Sequence, residues 1–322
     1  MTRLGYQIPN FTYPGVDGAD IFKNVVAQAQ AAEAAGFDRV FVMDHFYQLP
    51  GIGAPDEPMF ECYTMLSALA QHTENVRLSA LVTGNTYRHP TLLAKAVTAL
   101  DHVSGGRATL GIGAGWFELE HHSLGYEFGT FTDRFEKLEE ALQIIGPMLG
   151  NEQVSLDGKH YQVSDAINSP APLSKIPIMI GGSGEKKTLR MVAQYADESN
   201  LVGTPAADVP RKLAALDEHC ARLGRDRSDI AVTCMQMVCV APTMEEAEAD
   251  LAEVAAVKGW NNDIVEMAKS ILVFGDPDTV GEQLQTVMDT GLDGLTLNLA
   301  ANGHKPERIA LLGEIGLAVT AH

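Results

Sequence analysis

The sequence predicts a (β/α)8 barrel, and three observations carry that expectation. Apolar β-rich runs alternate with helical stretches nearly from end to end, eight such runs can be counted, and one αβ unit is written twice, far apart in the chain. In the first copy an Ala-rich helix runs into Gly36, which can take the left-handed conformation that ends it, and Phe37-Asp38 leads into the apolar strand Val40-Phe41-Val42-Met43. In the second, residues 280–290 make the helix, Gly291 the cap, Leu292-Asp293 the connection and Leu295-Thr296-Leu297-Asn298-Leu299 the strand. Such alternation implies a parallel sheet, because parallel neighbours need the long crossovers that helices supply. Eight strands over 322 residues suit a closed barrel, which takes about 250 residues before insertions. An open doubly wound sheet is the alternative, since alternation alone does not prove closure.

In order, the predicted strands are 4–8, 39–43, 76–82, 108–112, 176–180, 199–202, 230–240 and 295–299. Helices are expected at 19–35, 60–72, 90–103, 131–149, 185–195, 209–223, 245–257 and 279–290, with a ninth at 306–319. The chain, 1–322, reads as one domain with insertions near 151–175 and 259–276. The first carries the hairpin-like Leu156-Asp157-Gly158-Lys159-His160-Tyr161 and then a Pro-rich connection through Pro170, Pro172 and Pro177. The second interrupts the path from the seventh strand to its final helix. Both are candidate lids or walls of a site.

Composition narrows the function. The chain is 46% hydrophobic with a mean hydropathy of −0.01 and holds no apolar run of the length, about 18 residues or more, that spans a bilayer. It enters Leu4-Gly5-Tyr6-Gln7-Ile8 without a basic-then-apolar leader, so a cytoplasmic location is expected. A formal charge of −19, with no basic stretch interleaved with aromatics, argues against nucleic-acid and anionic-membrane partners. The cysteines Cys62, Cys220, Cys234 and Cys239 form no CxxC pair and no metal-ligand spacing, and they read as buried free thiols.

In an α/β protein chemistry gathers where strands run out into loops, and Asp44-His45 stands at such a place. A histidine there titrates near neutrality and can give or take a proton. Gly181-Gly182-Ser183-Gly184 follows an apolar strand and opens a helix near Thr188, so its amides can cradle an anion, with charge from Lys186, Lys187 or Arg190. A tight turn with solvated lysines would use the same residues. Gly111-Ile112-Gly113-Ala114-Gly115-Trp116 lets backbone approach a flat ligand, with Trp116 as a wall. Thr83 and Asn85, at the end of the third strand, can bond a heterocycle's edge or make an ordinary turn. Glu118 and His122 could face one way on a helix, but no third ligand makes a metal site of them.

Four motifs in this order resemble the bacterial luciferase-like oxidoreductases, and within them the branch described as dependent on the deazaflavin coenzyme F420. They are Ala-Glu-Ala-Ala-Gly-Phe-Asp-Arg-Val-Phe-Val-Met-Asp-His, Leu100-Asp101-His102-Val103-Ser104-Gly105-Gly106-Arg107, Leu110 to Trp116, and Ile180 to Gly184. The resemblance covers nearly the whole chain, including Asp157-Gly158-Lys159-His160-Tyr161 and the C-terminal Gly-Leu-Asp-Gly-Leu-Thr-Leu-Asn. It implies a luciferase-like TIM barrel, a homodimer, and a ring bound over the strand ends, supported by a non-proline cis peptide near Ala80-Leu81. By position it implies that His45 contacts the ring, that Thr83, Asn85 and their neighbours line the pyrimidine side, that Gly113, Ala114 and Gly115 pass beside the cofactor, and that Gly181, Gly182, Ser183 and Gly184 take its phosphate; Asp44 reads as the orienter of His45 or as a loop cap. The function implied is hydride exchange between the deazaflavin and a small organic substrate. The alternatives are an FMN-dependent two-component monooxygenase of the same fold and a barrel that binds a ligand without catalysis. Two departures stand out: Ala196-Asp197-Glu198-Ser199-Asn200 replaces a usual Ala-Asp-Gly-Trp-Asn, and His121 follows Glu120 where the family often has an aromatic.

Overall fold

A computed structural model describes residues 3–321; Met1, Thr2 and His322, included in the expected domain, lie outside them. The strands are β1 (Arg3–Ile8), β2 (Arg39–Val42), β3 (Arg77–Ala80), β4 (Thr83–Gly84), β5 (Leu110–Gly113), β6 (Val154–Asp157), β7 (Gln162–Ala166), β8 (Ile178–Gly181), β9 (Glu198–Leu201), β10 (Ala231–Val240), β11 (Val273–Gly275) and β12 (Gly294–Asn298). The helices are α1 (Ile21–Ala34), α2 (Cys62–Ala70), α3 (Pro90–Val103), α4 (Glu118–Leu124), α5 (Phe131–Leu149), α6 (Thr188–Tyr195), α7 (Val209–Leu223), α8 (Met244–Lys258), α9 (Asn262–Ile271), α10 (Pro277–Met288) and α11 (Pro306–Val319). None is long and apolar enough to cross a membrane.

The main sheet runs β3-β2-β1-β12-β10-β9-β8-β5-β4, all parallel. A bridge from Leu78 to Ala108 brings β3 back to β5 and closes the ring. Closure excludes the open-sheet alternative: β3 and β4 are two halves of one stave, so the barrel has the eight staves expected. The break between them is a cis peptide at Leu81-Val82, one bond beyond the expected place.

The repeated αβ grammar has a physical reason. Gly36 and Gly291 sit at φ +85° and +97°, where a side chain would be strained. After Gly291 the aspartate holds a neighbouring strand, Asp293 accepting from Val232 N at 2.8 Å. Asp197, which follows α6 without a glycine, likewise accepts from Ile178 N at 2.9 Å, whereas Asp38 after Gly36 accepts from Arg39 Nε at 3.0 Å. Buried Leu, Ile and Val from the outward faces of the staves pack against α1, α2, α3, α5, α6, α10 and α11 to form one continuous core.

The first insertion is the antiparallel hairpin β6-β7, as the sequence suggests. The second contains α9 and β11, which sequence periodicity did not separate. β11 pairs with the end of β10, while α9 has no fully buried residue and packs Val265, from its apolar face, on the small cluster of Cys239, Leu251 and Ala301.

Candidate active site

A cavity of about 450 Å³ opens at the C-terminal ends of the staves. Leu81, Val82, Gly113, Gly181, Met235 and Asn298 reach it from within the barrel, and Leu49, Ile52, Trp116, Phe131 and Arg134 reach it from the loops and α5. Val82 enters the ring of staves through the β3/β4 break. A Cβ on Gly113 would stand 2.9 Å from Val82 Cγ2, and one on Gly181 2.8 Å from Val82 Cγ1. The glycines of β5 and β8 therefore make room first for Val82, and the space beside them that sequence reading reserved for a flat ligand is partly filled by protein.

His45 lines this cavity, with its ring edge-on to Trp116 and Phe117. Its Nδ1 lies 2.9 Å from Oε2 of Glu120, and Nε2 has no protein partner among the described residues. Glu120 is fully buried on α4. It accepts also from Phe46 N, Tyr47 N and the Tyr87 hydroxyl, at 2.5, 2.8 and 2.5 Å. Burial alone would raise its carboxyl, but the bonds from His45, Tyr87 and Tyr47, with the added pull of the His45 ring when it is protonated, outweigh burial and hold it below the usual glutamate value. An ionised Glu120 can only accept, so Nδ1 carries the proton and the lone pair of neutral His45 sits on Nε2, the atom open to a ligand.

The orienting contact expected of Asp44 is thus made by Glu120. Asp44 is buried and turned elsewhere: Arg88 Nη1 and Nη2 donate to it at 2.7 and 2.9 Å, and Gly84 N at 3.0 Å. Burial pushes its carboxyl up, against the pull of the Arg88 guanidinium. The pair ties β2 to the turn after β4 and supports the cavity wall from behind.

Glu120 was legible in part. Phe117 is buried, and residues three and four later share its helical face, which gives Glu120 and His121. The pair singled out from sequence, Glu118 and His122, lies on the exposed face, with His122 Nε2 3.7 Å from Glu118 Oε1. His121, the departure from the family pattern, fills the aromatic's place: it packs on Tyr87 and Phe128 and bonds Phe117 O and Thr86 Oγ1 at 2.8 and 2.6 Å. Burial lowers its pKa, so it is a neutral ring in the wall.

The second departure lies away from the cavity. Glu198 is at the opposite end of the barrel, paired with Arg3 and Arg39, and Ser199 alternates outward toward the helix layer.

Positive charge is confined to one side of the cavity. Arg134 donates to Gly115 O at 3.1 Å and Gly129 O at 3.0 Å and stacks on Phe128, and Lys187 Nζ lies over Phe131 and Phe135. Neither meets a carboxylate among the described residues. No side chain caps α6, whose first residue Thr188 lines the cavity beside Gly181 and Gly182. Of the other two cations expected there, Lys186 is exposed and Arg190 is held by Glu139.

The cavity thus brings together Asp44, His45, Leu81, Thr83, Gly113, Ala114, Gly115, Gly181 and Gly182. It does not bring in Ala80, Asn85, Ser183 or Gly184: Ala80 and Asn85 are buried, and Ser183 Oγ bonds Val202 O and Thr204 Oγ1. Sequence reading missed Gln7, Arg134, Thr188, Met235, Met237 and Asn298, most of which lie inside strands with no motif around them.

A closed parallel barrel with a buried acid behind a strand-end histidine, at the rim of an apolar cavity, defines an enzyme of the (β/α)8 class. The chain belongs to the luciferase-like monooxygenase family, whose model matches residues 2–294. It is 31% identical over 309 residues to an F420-dependent glucose-6-phosphate dehydrogenase of Microbacterium testaceum, spanning 88% of this chain and 89% of that one. It is 30% identical over 264 residues to a pyrimidine monooxygenase of Stutzerimonas stutzeri, spanning 75% and 72%. An F420-dependent secondary alcohol dehydrogenase, solved with an F420-acetone adduct, superposes with a TM-score of 0.79 at 18% identity over 99% of both chains. The monooxygenase RslO1 from Streptomyces bottropensis gives 0.79 at 18% identity over 98% and 99%. At those identities the two structures establish the fold.

Proposed function

We propose that this protein is a coenzyme F420-dependent oxidoreductase in which His45 moves the proton that accompanies hydride exchange with a small organic substrate. The observation that carries the reading is the His45 ring fixed by Glu120 through Nδ1, with Nε2 free at the cavity. The long match to an F420-dependent dehydrogenase supports the choice of cofactor.

The residues present suit such a cofactor. Leu81, Val82 and Thr83 with Gly113, Ala114 and Gly115 offer a flat bed, while Gly181, Gly182, the uncapped α6 N-terminus, Arg134 and Lys187 offer an anion site in an otherwise acidic protein. Bound there, a deazaflavin supplies a carbon that exchanges hydride and does not sustain oxygen activation as flavin chemistry does. Neutral His45 accepts a substrate proton at Nε2, and Glu120 stabilises the imidazolium that results. In the reverse direction the imidazolium returns the proton. Leu49, Trp116 and Phe131 give the cavity mouth an apolar surface that a bound cofactor and substrate would cover.

Fluorescence titration with F420 and with FMN tests the cofactor. F420 is expected to bind, and FMN binding without F420 binding would transfer the protein to the two-component monooxygenase reading, which the pyrimidine monooxygenase match favours. His45→Ala is expected to lower kcat by roughly 100- to 10,000-fold while leaving F420 affinity within a few-fold. Unchanged turnover removes the proton-transfer role. The same reading takes the protein as a cytoplasmic homodimer acting on a small molecule, and light scattering on the purified protein checks the dimer.

A further inference from the structure

The order of staves around the ring is β1, β2, β3/β4, β5, β8, β9, β10, β12, so β5 and β8 face β12 and β1 across the cavity. Among the described residues lining the cavity the one unneutralised cation is Arg134, with Lys187 behind Phe131 and Phe135 on the same β5/β8 side. Across from it, adjacent registers place Met237 beside Asn298 and Asn298 beside Gln7, with Met235 one step below. Leu49 and Ile52 close that side from the loop after β2. Among the described residues lining this far wall there is no lysine or arginine. Its polar groups are the amides of Gln7 and Asn298, joined by a 2.9 Å bond, and His45. Asn298 Oδ1 is buried and has no partner among the described residues.

A phosphate dianion against such a wall would give up its hydration without a cation to replace it, and sugar hydroxyls would face thioether and alkyl groups. An aliphatic body, in contrast, loses only water. The lone pair on His45 Nε2 can take the single proton of one hydroxyl. A cavity of about 450 Å³ is also near the small end of ligand pockets, about 300 to 1,000 Å³, and a tricyclic ring must share it.

Resting on the cofactor reading above, we infer that the substrate is an uncharged, largely apolar alcohol or its carbonyl partner, and that a phosphorylated sugar is rejected. Oxidation then takes a hydride from the carbinol carbon, accepted by the deazaflavin, and a proton from the hydroxyl, accepted by His45 Nε2. The remaining carbon and oxygen form the carbonyl. This separates the chain from the activity named for its dehydrogenase relative.

The test titrates cyclohexanol, 2-octanol and glucose 6-phosphate by calorimetry into cofactor-free and F420-treated protein, and follows loss of oxidised-deazaflavin absorbance in the second case. At least one alcohol is expected to bind on the order of a hundredfold or more tightly than glucose 6-phosphate, the margin that several kcal/mol of uncompensated desolvation gives. Glucose 6-phosphate binding as tightly as the alcohols to F420-treated protein, or no binding by either alcohol to either form, overturns the inference. A missing fluorescence response to F420 overturns the cofactor reading alone, because alcohol binding to the cofactor-free protein still reads the far wall, whereas glucose 6-phosphate there can reach the open anion site at Arg134.

Discussion

The carboxylate of Glu120 accepts from four donors at once: two backbone amides through Oε1, and the His45 ring and Tyr87 hydroxyl through Oε2. A glutamine has the same shape but one oxygen. If that oxygen stays on the Phe46 and Tyr47 amides, its NH2 faces His45 Nδ1, which must then accept, and the proton moves to Nε2. The turned rotamer instead sets the NH2 against two backbone N–H groups. Glu120→Gln should therefore lower kcat by roughly 10- to 1,000-fold, less than the about 10,000-fold loss when an orienting carboxylate becomes an amide in a serine-protease triad. F420 affinity should stay near wild type, and the 15N signals of His45 should report the exchanged tautomer; a wild-type tautomer with wild-type kcat would end the positioning role. The carboxyl is held below its unfolded value of about 4.3. Its stabilising contribution is thus complete above that pH and is lost as pH falls through the lowered folded value, so Glu120→Gln should flatten the acid limb of the unfolding profile.

At the level of elements, the β3/β4 break and the glycines of β5 and β8 form one unit. Gly113→Ala puts a Cβ 2.9 Å from Val82 Cγ2, and the valine must shift toward the cavity or push on the stave. The expected cost is about 1 to 3 kcal/mol of stability, with weaker F420 binding. Adding Val82→Ala should recover part of both, since the clash is between those two side chains; additive losses in denaturant unfolding would contradict the shared cause. The regular staves and helices were readable because a stave buried on both faces is a short continuous apolar run, as in Val40-Phe41-Val42, and a helix has a buried stripe at its own period, as in Leu138, Ala141, Leu142 and Ile145. α9 repeats Ile264, Val265, Ala268 and Ile271 at helical spacing but fully buries none of them, and α4 is short with both faces polar, so Glu120 and His121 were hidden beside Glu118 and His122. The far wall was illegible for a different reason: Gln7, Met235, Met237 and Asn298 are ordinary strand residues until closure aligns their registers.

Over the whole molecule the barrel separates its charges by end. The cavity end holds His45 and a one-sided pair of cations, while the opposite end is closed by Glu198 between Arg3 and Arg39, with Arg77 at the start of the neighbouring stave. Glu198 and Arg39 are nearly fully buried. Two guanidiniums converge on that one carboxylate, which explains why this chain has glutamate where the family pattern has glycine: the acid is the counter-charge for arginines that open β1 and β2. Nothing in the local run Ala196-Asp197-Glu198 announces this, because Arg3 and Arg39 lie 195 and 159 residues away. Glu198→Gln keeps the volume and removes the charge, leaving the buried Arg39 without full compensation. Breaking a buried pair in this way costs roughly 3 to 5 kcal/mol. The variant should therefore unfold at lower denaturant with an unchanged slope, while its folded fraction retains wild-type F420 affinity and kcat, because the plug and the cavity occupy opposite ends of the staves. Loss of kcat in the folded protein would mean that the two ends are coupled through the barrel, and unchanged stability would mean that the arginines find other partners.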